Sequence, residues 1–393
     1  MTSPAAAPGI VLPPAGTPAE GGWTRAGFRD FVEREIVPFA GEWDRAARTP
    51  PEAIRRVAEA GFLGAVLPRE VGGAGMDTAT FGILNEELGR GCSSIRSLLT
   101  VHSMVSFAVA RWGSRAQKER WLGPLARGEV IGAFGLSEPG AGSDAASIET
   151  EAVPDGDGYV LHGRKKWTTY GQVADLFLVF AKAGGKPLAF LVERGTPGFT
   201  VSPLSGITGT RASMLAELHL DGCRVPRESR VAGPGFGIGV ALSALEVGRF
   251  SVASGCVGII QACLDASLRY ASERRQFGQL IREHQLVQRM IADMATGLRA
   301  ARLLCQRAAE LRDAGDPAAA GEIFVAKYFA STAATRAALD AVQLHGANGC
   351  SEEYPVERYL RDSRVMEIIE GSTQIQQVTI ASNELRAYDA GLA

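Results

Sequence analysis

Ile368-Ile369-Glu370-Gly371-Ser372-Thr373-Gln374-Ile375-Gln376 sets one carboxylate between two isoleucines and a glycine. Apolar neighbours strip a carboxylate of solvation, raise its pKa and make it a usable general base near neutral pH. Gly371 has no side chain, so the backbone there can come close to a ligand. Taken alone, the same residues also read as a surface glutamate that opens a polar helix. Other chemistries are not supported by their motifs. No Gly-x-Gly-x-x-Gly follows a strand, and there is no P-loop, His-Glu-x-x-His or Gly-x-Ser-x-Gly. The five histidines lack metal-ligand spacing and read as core or surface residues. The six cysteines form no Cys-x-x-Cys pair, so neither a zinc site nor a disulfide framework is predicted.

The elements that must position Glu370 fall into three blocks behind a tail. Residues 1–22 are rich in Ala, Pro and Gly without Lys or Arg, unlike a secretory signal or a transit peptide, and are expected to be a loose tail. Residues 23–130 read as helices. Thr49-Pro50-Pro51-Glu52 predicts a capping box with Gly61 as a stop, and Asp77-Thr78 predicts a cap for a helix burying Phe81, Leu84 and Leu88. Residues 131–235 read as a small β domain. Asp155-Gly156-Asp157-Gly158 predicts a turn, Leu176–Phe180 and Leu188–Val192 predict strands, and Ala216, Leu218 and Leu220 alternate with polar residues. Residues 236–393 read as a four-helix bundle. There Leu286, Met290, Met294 and Leu298 recur every four residues, and Asp316-Pro317 predicts a helix start. The fold class is therefore α+β: an N-terminal α-helical domain, a middle β domain and a C-terminal helical bundle, with no internal repeat.

The chain of 393 residues is long enough for two or three domains and a large core. With 46% hydrophobic and 21% charged residues it has an ordinary globular composition. Its 41 basic and 43 acidic residues give no electrostatic case for nucleic acid or an anionic membrane. No apolar run has the length of a transmembrane helix. A cytoplasmic location is expected.

Separated motifs in order carry a resemblance to the acyl-CoA dehydrogenase family over roughly residues 20 to 386. They are the Glu370 stretch, Phe134-Gly135-Leu136-Ser137-Glu138-Pro139-Gly140-Ala141-Gly142-Ser143-Asp144, Lys165-Lys166-Trp167-Thr168-Thr169, Arg274-Arg275-Gln276-Phe277-Gly278 and Gln343-Leu344-His345-Gly346-Ala347-Asn348-Gly349. The resemblance implies α,β-dehydrogenation of an acyl thioester. Such a reaction needs a base for the α-proton, an acceptor for the β-hydride and hydrogen bonds to the thioester oxygen. No side chain accepts a hydride, so a redox cofactor is required, and the family's is FAD. Glu370 is the implied base, and its backbone amide, with a flavin ribityl hydroxyl, would hold the thioester oxygen. Phe134, Leu136, Ser137, Gly142, Ser143, Trp167 and Thr169 match the flavin-contacting segments. Arg274, Phe277, Gln285, Gln343 and Gly346 match residues that bind the FAD of a neighbouring subunit, which implies a homotetramer, a dimer of dimers. Ser372, Thr373 and Gln374 complete the flavin set. Read without the motifs, Trp167 is a core aromatic and Arg274 a solvated helix charge.

Two departures from the family pattern keep the chemical groups: Gly346-Ala347 replaces Gly-Gly, and Ser372-Thr373 replaces Thr-Ser. Some members carry the base on an earlier helix, just before an arginine matching Arg249. Here that position is Gly248, so Glu370 is the one carboxylate in a family base position. Ser143, Glu246, Arg249 and Gly371 match substrate-contacting positions, Glu246 replacing the usual Asp; Glu246 and Arg249 also read as a structural pair. Cys92-Ser93-Ser94-Ile95-Arg96-Ser97 is similar to the glutaryl-CoA dehydrogenase segment whose Arg binds a distal carboxylate. It is also similar, together with the segment around Gly248–Gly258, to dehydrogenases acting on acyl carrier protein in hydroxymalonyl and methoxymalonyl extender-unit synthesis. Arg96 also reads as a helix surface charge. The implied substrate is a short polar or acidic acyl thioester on CoA or acyl carrier protein, with an electron-transfer flavoprotein or similar acceptor. Glutaryl-CoA-type oxidative decarboxylation and plain short-chain dehydrogenation are the enzymatic alternatives, and a catalytically silent flavoprotein scaffold is the non-enzymatic one.

Overall fold

A computed structural model describes residues 23–391. The tail expected over residues 1–22 lies outside the described residues. Among the described residues six α-helices come first: α1 (Arg25–Glu35), α2 (Ala40–Arg45), α3 (Pro51–Glu59), α4 (Thr78–Gly91), α5 (Ser93–Trp112) and α6 (Arg115–Arg127). Asp77 caps α4 by accepting from the Thr80 amide at 2.7 Å, and Phe81, Leu84 and Leu88 are buried along its inner face. The capping box expected at Thr49 does not form. Pro50 precedes α3 in an extended conformation, and Pro51 in the first turn has no N–H to satisfy. Thr49 instead donates to the Ala212 carbonyl at 2.8 Å, tying the first helices to the middle layer.

The middle layer holds β1 (Gly132–Gly135), β2 (Glu151–Asp155), β3 (Gly158–Thr168), β4 (Leu176–Ala183), β5 (Lys186–Glu193), β6 (Phe199–Pro203), β7 (Ala216–Pro226) and β8 (Arg230–Val231). Their order is β6-β7-β3-β2-β4-β5-β8, with β1 parallel to β4. The Asp155–Gly158 turn joins β2 to β3. Leu218 and Leu220 of β7 bury on the sheet's covered face, opposite the exposed Asp221.

Beyond the sheet come α7 (Gly237–Glu273), a short hairpin of β9 (Arg275–Gln276) and β10 (Gln279–Leu280), then α8 (Gln285–Asp313), α9 (Ala319–His345), α10 (Val356–Met366) and α11 (Thr373–Asp389). α7 is the axis of the molecule and packs on α4, α5, α8 and α9. It corrects the expectation of no membrane-length apolar segment. By length and composition it is long and apolar enough to span a bilayer, and 94% of its most apolar 18-residue window is buried inside the protein. The α4–α7 crossing is close because Gly89 of α4 lies against the Gly255 backbone and Gly258 of α7 against the Glu86 carbonyl, so backbone meets backbone.

The α8 row follows the expected periodicity only in part. Met294 and Leu298 are buried, but Leu286 is 72% exposed. A four-residue step overshoots the 3.6-residue turn, so the row drifts around the helix as it runs. α9 starts at Ala319, two residues after the expected proline, and the Asp316 carboxylate accepts from the Ala318 amide.

Candidate active site

Glu370 sits in the turn between α10 and α11, with a left-handed backbone (φ 55°) followed by Gly371 at φ 92°. A non-glycine residue there costs on the order of 1–3 kcal/mol and persists only when surrounding contacts enforce it. Those contacts are present. The Glu370 carbonyl accepts from Arg249 Nε at 3.2 Å and Gln376 Nε2 at 3.1 Å. The Gly371 carbonyl accepts from Lys327 Nζ at 2.7 Å and Gln376 Nε2 at 2.9 Å. Ser372 caps α11 through the Ile375 amide, and Thr373 turns back to the Glu367 carbonyl, so the swapped hydroxyls hold the turn. Gln374 is exposed on the first turn of α11.

The expected apolar setting of Glu370 is real, but it is not made by both flanking isoleucines. Ile368 is 56% exposed. Enclosure comes from α5 and α7, where Met104 and Gly248 approach the carboxyl group. Oε2 is sealed from solvent and has no hydrogen-bond partner among the described residues. Burial pushes the carboxyl up to about 7, against the pull of Arg249, Arg96 and Lys327. The Glu370 amide makes no hydrogen bond within the described residues, which leaves it free to meet a substrate oxygen.

Arg96 is not a surface charge. It is fully buried on α5, its stem lying against Gly255. Its Nη1 donates to Thr100 Oγ1 at 2.8 Å, and Nη2 donates to Ser97 Oγ at 3.0 Å. Thr100 in turn lies 2.6 Å from Ser251 Oγ, which donates to Asn85. Among the described residues no carboxylate lies within ion-pair distance of Arg96. Gly248 and Gly255 sit on one face of α7, seven residues apart, so the base and this guanidinium are separated by about 10 Å along the helix.

Glu246 and Arg249 do not pair with each other. Glu246 pairs with Arg312 at 3.3 Å, while Arg249 lies over the Phe324 ring and donates to the Glu370 carbonyl. One helical turn separates them, and each finds a nearer partner on a neighbouring element.

β1 delivers Phe134 to the segment Leu136–Asp144. Phe134 packs on Phe180, and Leu136 is buried. Sequence reading missed what fixes this segment, the buried Glu138–Lys165 pair at 2.6 Å. Glu138 also accepts from the Glu149 and Thr150 amides, which hold its carboxyl below the usual carboxylate range. Burial pulls the Lys165 ammonium down to about 8. His102 of α5 adds a second anchor: its Nδ1 accepts from the Gly132 amide, which makes Nε2 the donor to the Leu125 carbonyl. Ser137 is joined to β3 by the Lys166 amide, so the Ser137 and Trp167 segments lie side by side.

These residues fit a planar cofactor. Trp167 holds a left-handed backbone (φ 67°) and leaves its indole 53% exposed, a costly arrangement for a large aromatic. Beside it Thr168 Oγ1 is buried without a partner among the described residues, and Thr169 is half-buried. Gly142 and Ser143 face open space. Ser137, Ser143, Trp167 and Thr169 would hold an isoalloxazine ring.

The other matched flavin residues lie elsewhere. Arg274 follows α7 and is exposed; Phe277, at the tip of the β9–β10 hairpin, is 95% exposed. Gln285 opens α8, and Gln343 and Gly346 end α9 with exposed faces. Open space surrounds Gly346, and Ala347 beside it is exposed, so the extra methyl is accommodated. Arg274 is 26 residues along α7 from Gly248, about 39 Å away.

A carboxylate enclosed by α5 and α7 in a half-buried turn, together with an exposed aromatic platform on this three-layer fold, defines a flavin-dependent thioester dehydrogenase. Family profiles of the acyl-CoA dehydrogenase N-terminal, middle and C-terminal domains match residues 22–129, 133–223 and 235–385. The chain belongs to the acyl-CoA dehydrogenase family and is an FAD-dependent oxidoreductase. It is 40% identical to the mitochondrial short-chain specific acyl-CoA dehydrogenase of Rattus norvegicus, over 92% of this chain and 89% of that protein. It matches the glutaryl-coenzyme A dehydrogenase of a glutaryl-CoA complex with TM-score 0.88 and 38% identity, covering 94% of each chain. FkbI, for biosynthesis of the methoxymalonyl extender unit of the polyketide Fk520, matches with TM-score 0.84 and 35% identity, over 92% of this chain and 99% of that one.

Proposed function

We propose that this protein dehydrogenates a short acyl thioester whose far end carries a carboxylate, or a comparable polar acceptor. The observation that carries this reading is Arg96, a buried guanidinium with no carboxylate partner among the described residues, about 10 Å along α7 from the base. An unpaired buried cation is expensive, and an incoming carboxylate relieves that cost while making charge-assisted hydrogen bonds. An α-carbon at Glu370 and a carboxylate three carbons further out fit such a spacing. A plain butyryl chain would leave Arg96 as it stands.

Glu370 takes the α-proton, and its free amide stabilises the thioester oxygen as negative charge builds there. FAD, when bound, supplies the acceptor for the hydride leaving the β-carbon. Arg249 and Lys327 hold the turn that carries both the carboxylate and the amide. The distance between the Glu370 and Arg274 regions exceeds the reach of one dinucleotide, which supports an assembly in which Arg274 and Phe277 serve a neighbouring chain's FAD. The exposed Leu286 of α8 and Leu385 of α11 suit subunit contacts in such an assembly, which we take to be a homotetramer. The glutaryl-CoA dehydrogenase likeness and the FkbI likeness both suit an acidic or polar acyl group, and an electron-transfer flavoprotein suits the acceptor role.

The test is anaerobic flavin bleaching with glutaryl, hydroxyacyl and butyryl thioesters, each on CoA and on carrier protein. Glutaryl or another polar thioester is expected to bleach faster than butyryl, with carbon dioxide release reporting any decarboxylation. Fastest bleaching by butyryl thioester would overturn the acyl-group assignment. Glu370→Gln should lose about 100- to 10,000-fold in flavin reduction while retaining FAD. Wild-type reduction in that variant would overturn the base.

A further inference from the structure

We infer that Lys327 is a positioning residue for the base, its buried ammonium clamping the Glu370–Gly371 turn from α9 and holding a positive charge beside the carboxylate. The inference rests on the reading of Glu370 as base. Lys327 is fully buried in the middle of α9, where a methionine or leucine would fill the same space without burying a charge. Among the described residues no carboxylate lies within ion-pair distance of its Nζ. The ammonium has three donors, and its one hydrogen bond among the described residues goes to the Gly371 carbonyl at 2.7 Å. A lysine kept charged in the core for one backbone carbonyl makes sense where that carbonyl belongs to the residue after the base.

The geometry around the turn shows how it acts. Each of the two carbonyls takes two donors, and Gln376 supplies one to each. The other two donors are cationic, Arg249 on Glu370 and Lys327 on Gly371. Phe324, one turn before Lys327 on α9, lies under the Arg249 guanidinium at 4.4 Å. One face of α9 therefore supports both cations. Without them, the left-handed pair at 370 and 371 would relax toward ordinary backbone angles and carry the carboxylate with it.

The charged groups facing Glu370 are Arg96 from α5, Arg249 from α7 and Lys327 from α9. α11 presents neutral Gln376. Glu367 on the same turn and Cys256 of α7 interact with Lys327 itself. All three cations lower the carboxyl's affinity for protons, so removing one raises it.

The experiment compares wild type with Lys327→Met, Lys327→Gln and Lys327→Arg, all as FAD-loaded protein. Three readouts are used: kcat and KM against pH, exchange of the substrate α-proton in D2O, and amide hydrogen exchange over residues 370–373. Lys327→Met is expected to lower kcat about tenfold with KM unchanged. It should also move the acidic limb of the kcat profile up by about one pH unit, slow α-proton exchange and speed amide exchange in the turn. Lys327→Gln, which keeps a donor without charge, should show the same shift of the limb and serves if the methionine variant does not fold. Lys327→Arg, which keeps charge and donors, should leave the limb in place. A charge-free variant with wild-type limb and exchange rates would overturn the proposal, as would an arginine variant shifted as far as the charge-free ones. Glu370→Gln separates the two readings: if it still exchanges the α-proton, the base assignment fails. If it is inert while Lys327→Met behaves as wild type, only the role of Lys327 fails.

Discussion

Gly248 of α7 stands against the carboxyl group of Glu370, so closely that a Cβ at 248 would lie 2.7 Å from the carboxyl carbon and 2.8 Å from Met104 Sδ. The position that carries a base in some resembling enzymes is here the empty space that admits a base from another segment. Gly248→Ala should displace the Glu370 carboxylate while leaving the Trp167 platform untouched. A displacement of about 1 Å costs roughly a hundredfold in rate. Steady-state kinetics and FAD content check this, and wild-type kcat in the alanine variant would show that the room is not needed.

The pH dependence follows from the same enclosure. Glu370 is pushed up to about 7, so below that pH the carboxyl keeps its proton and cannot take another. Turnover should rise with pH through about 7. A group whose folded pKa is raised adds stability that is present below its unfolded value and lost as pH rises through the folded value. Glu370→Gln should therefore melt at a higher temperature than wild type at pH 8 and at the same temperature near pH 4. Calorimetry at the two pH values measures this, and an equal Tm difference at both would contradict it.

Arg96→Met keeps the length of the side chain and removes its charge and donors. Loss of a charge-assisted hydrogen bond costs about 1.5–3 kcal/mol, or roughly ten- to a hundredfold in kcat/KM for an acidic acyl group. Activity on butyryl thioester should stay level or improve. Equal losses on glutaryl, hydroxyacyl and butyryl thioesters would show that Arg96 supports the fold alone.

Lys165→Met leaves Glu138 as a buried anion among backbone amides. Breaking such a pair from one side costs about 3–5 kcal/mol. Denaturant unfolding should show that loss, and FAD should be released more readily because the Leu136–Asp144 segment loosens. Adding Glu138→Gln should recover part of the stability. An unchanged midpoint in the single variant would mean that the pair holds nothing.

Arg274→Ala is expected to weaken FAD retention and the oligomer together, since the side chain lies in the exposed region matched to a neighbouring chain's cofactor. Analytical ultracentrifugation with flavin absorbance detection follows both at once. A monomer with full flavin content would rule out a shared site.

Much of the local structure is legible in the amino-acid order. Asp77 ahead of an apolar helical row predicts a cap, and the Asp155–Gly158 run predicts the β2–β3 turn, because these signals act within a few residues. The motif around Glu370 likewise marks one carboxylate as the candidate base. Thr49 shows the limit of such reading: its hydroxyl goes to Ala212, 163 residues away, and no local pattern announces that bond.

Glu370 is the clearest division between the two. Its identity, its glycine neighbour and the hydroxyls that follow are written in the chain. Its burial is not, because Ile368 beside it faces outward and the groups that enclose it come from α5 and α7. Periodicity could not separate a surface Arg96 from a buried one, since α5 is buried along nearly all of its length. Lys327 carries no local mark at all. Short-range geometry depends on neighbours in sequence, whereas desolvation and charge–charge interaction depend on neighbours in space, and those exist only once α5, α7, α9 and the 370 turn are packed together.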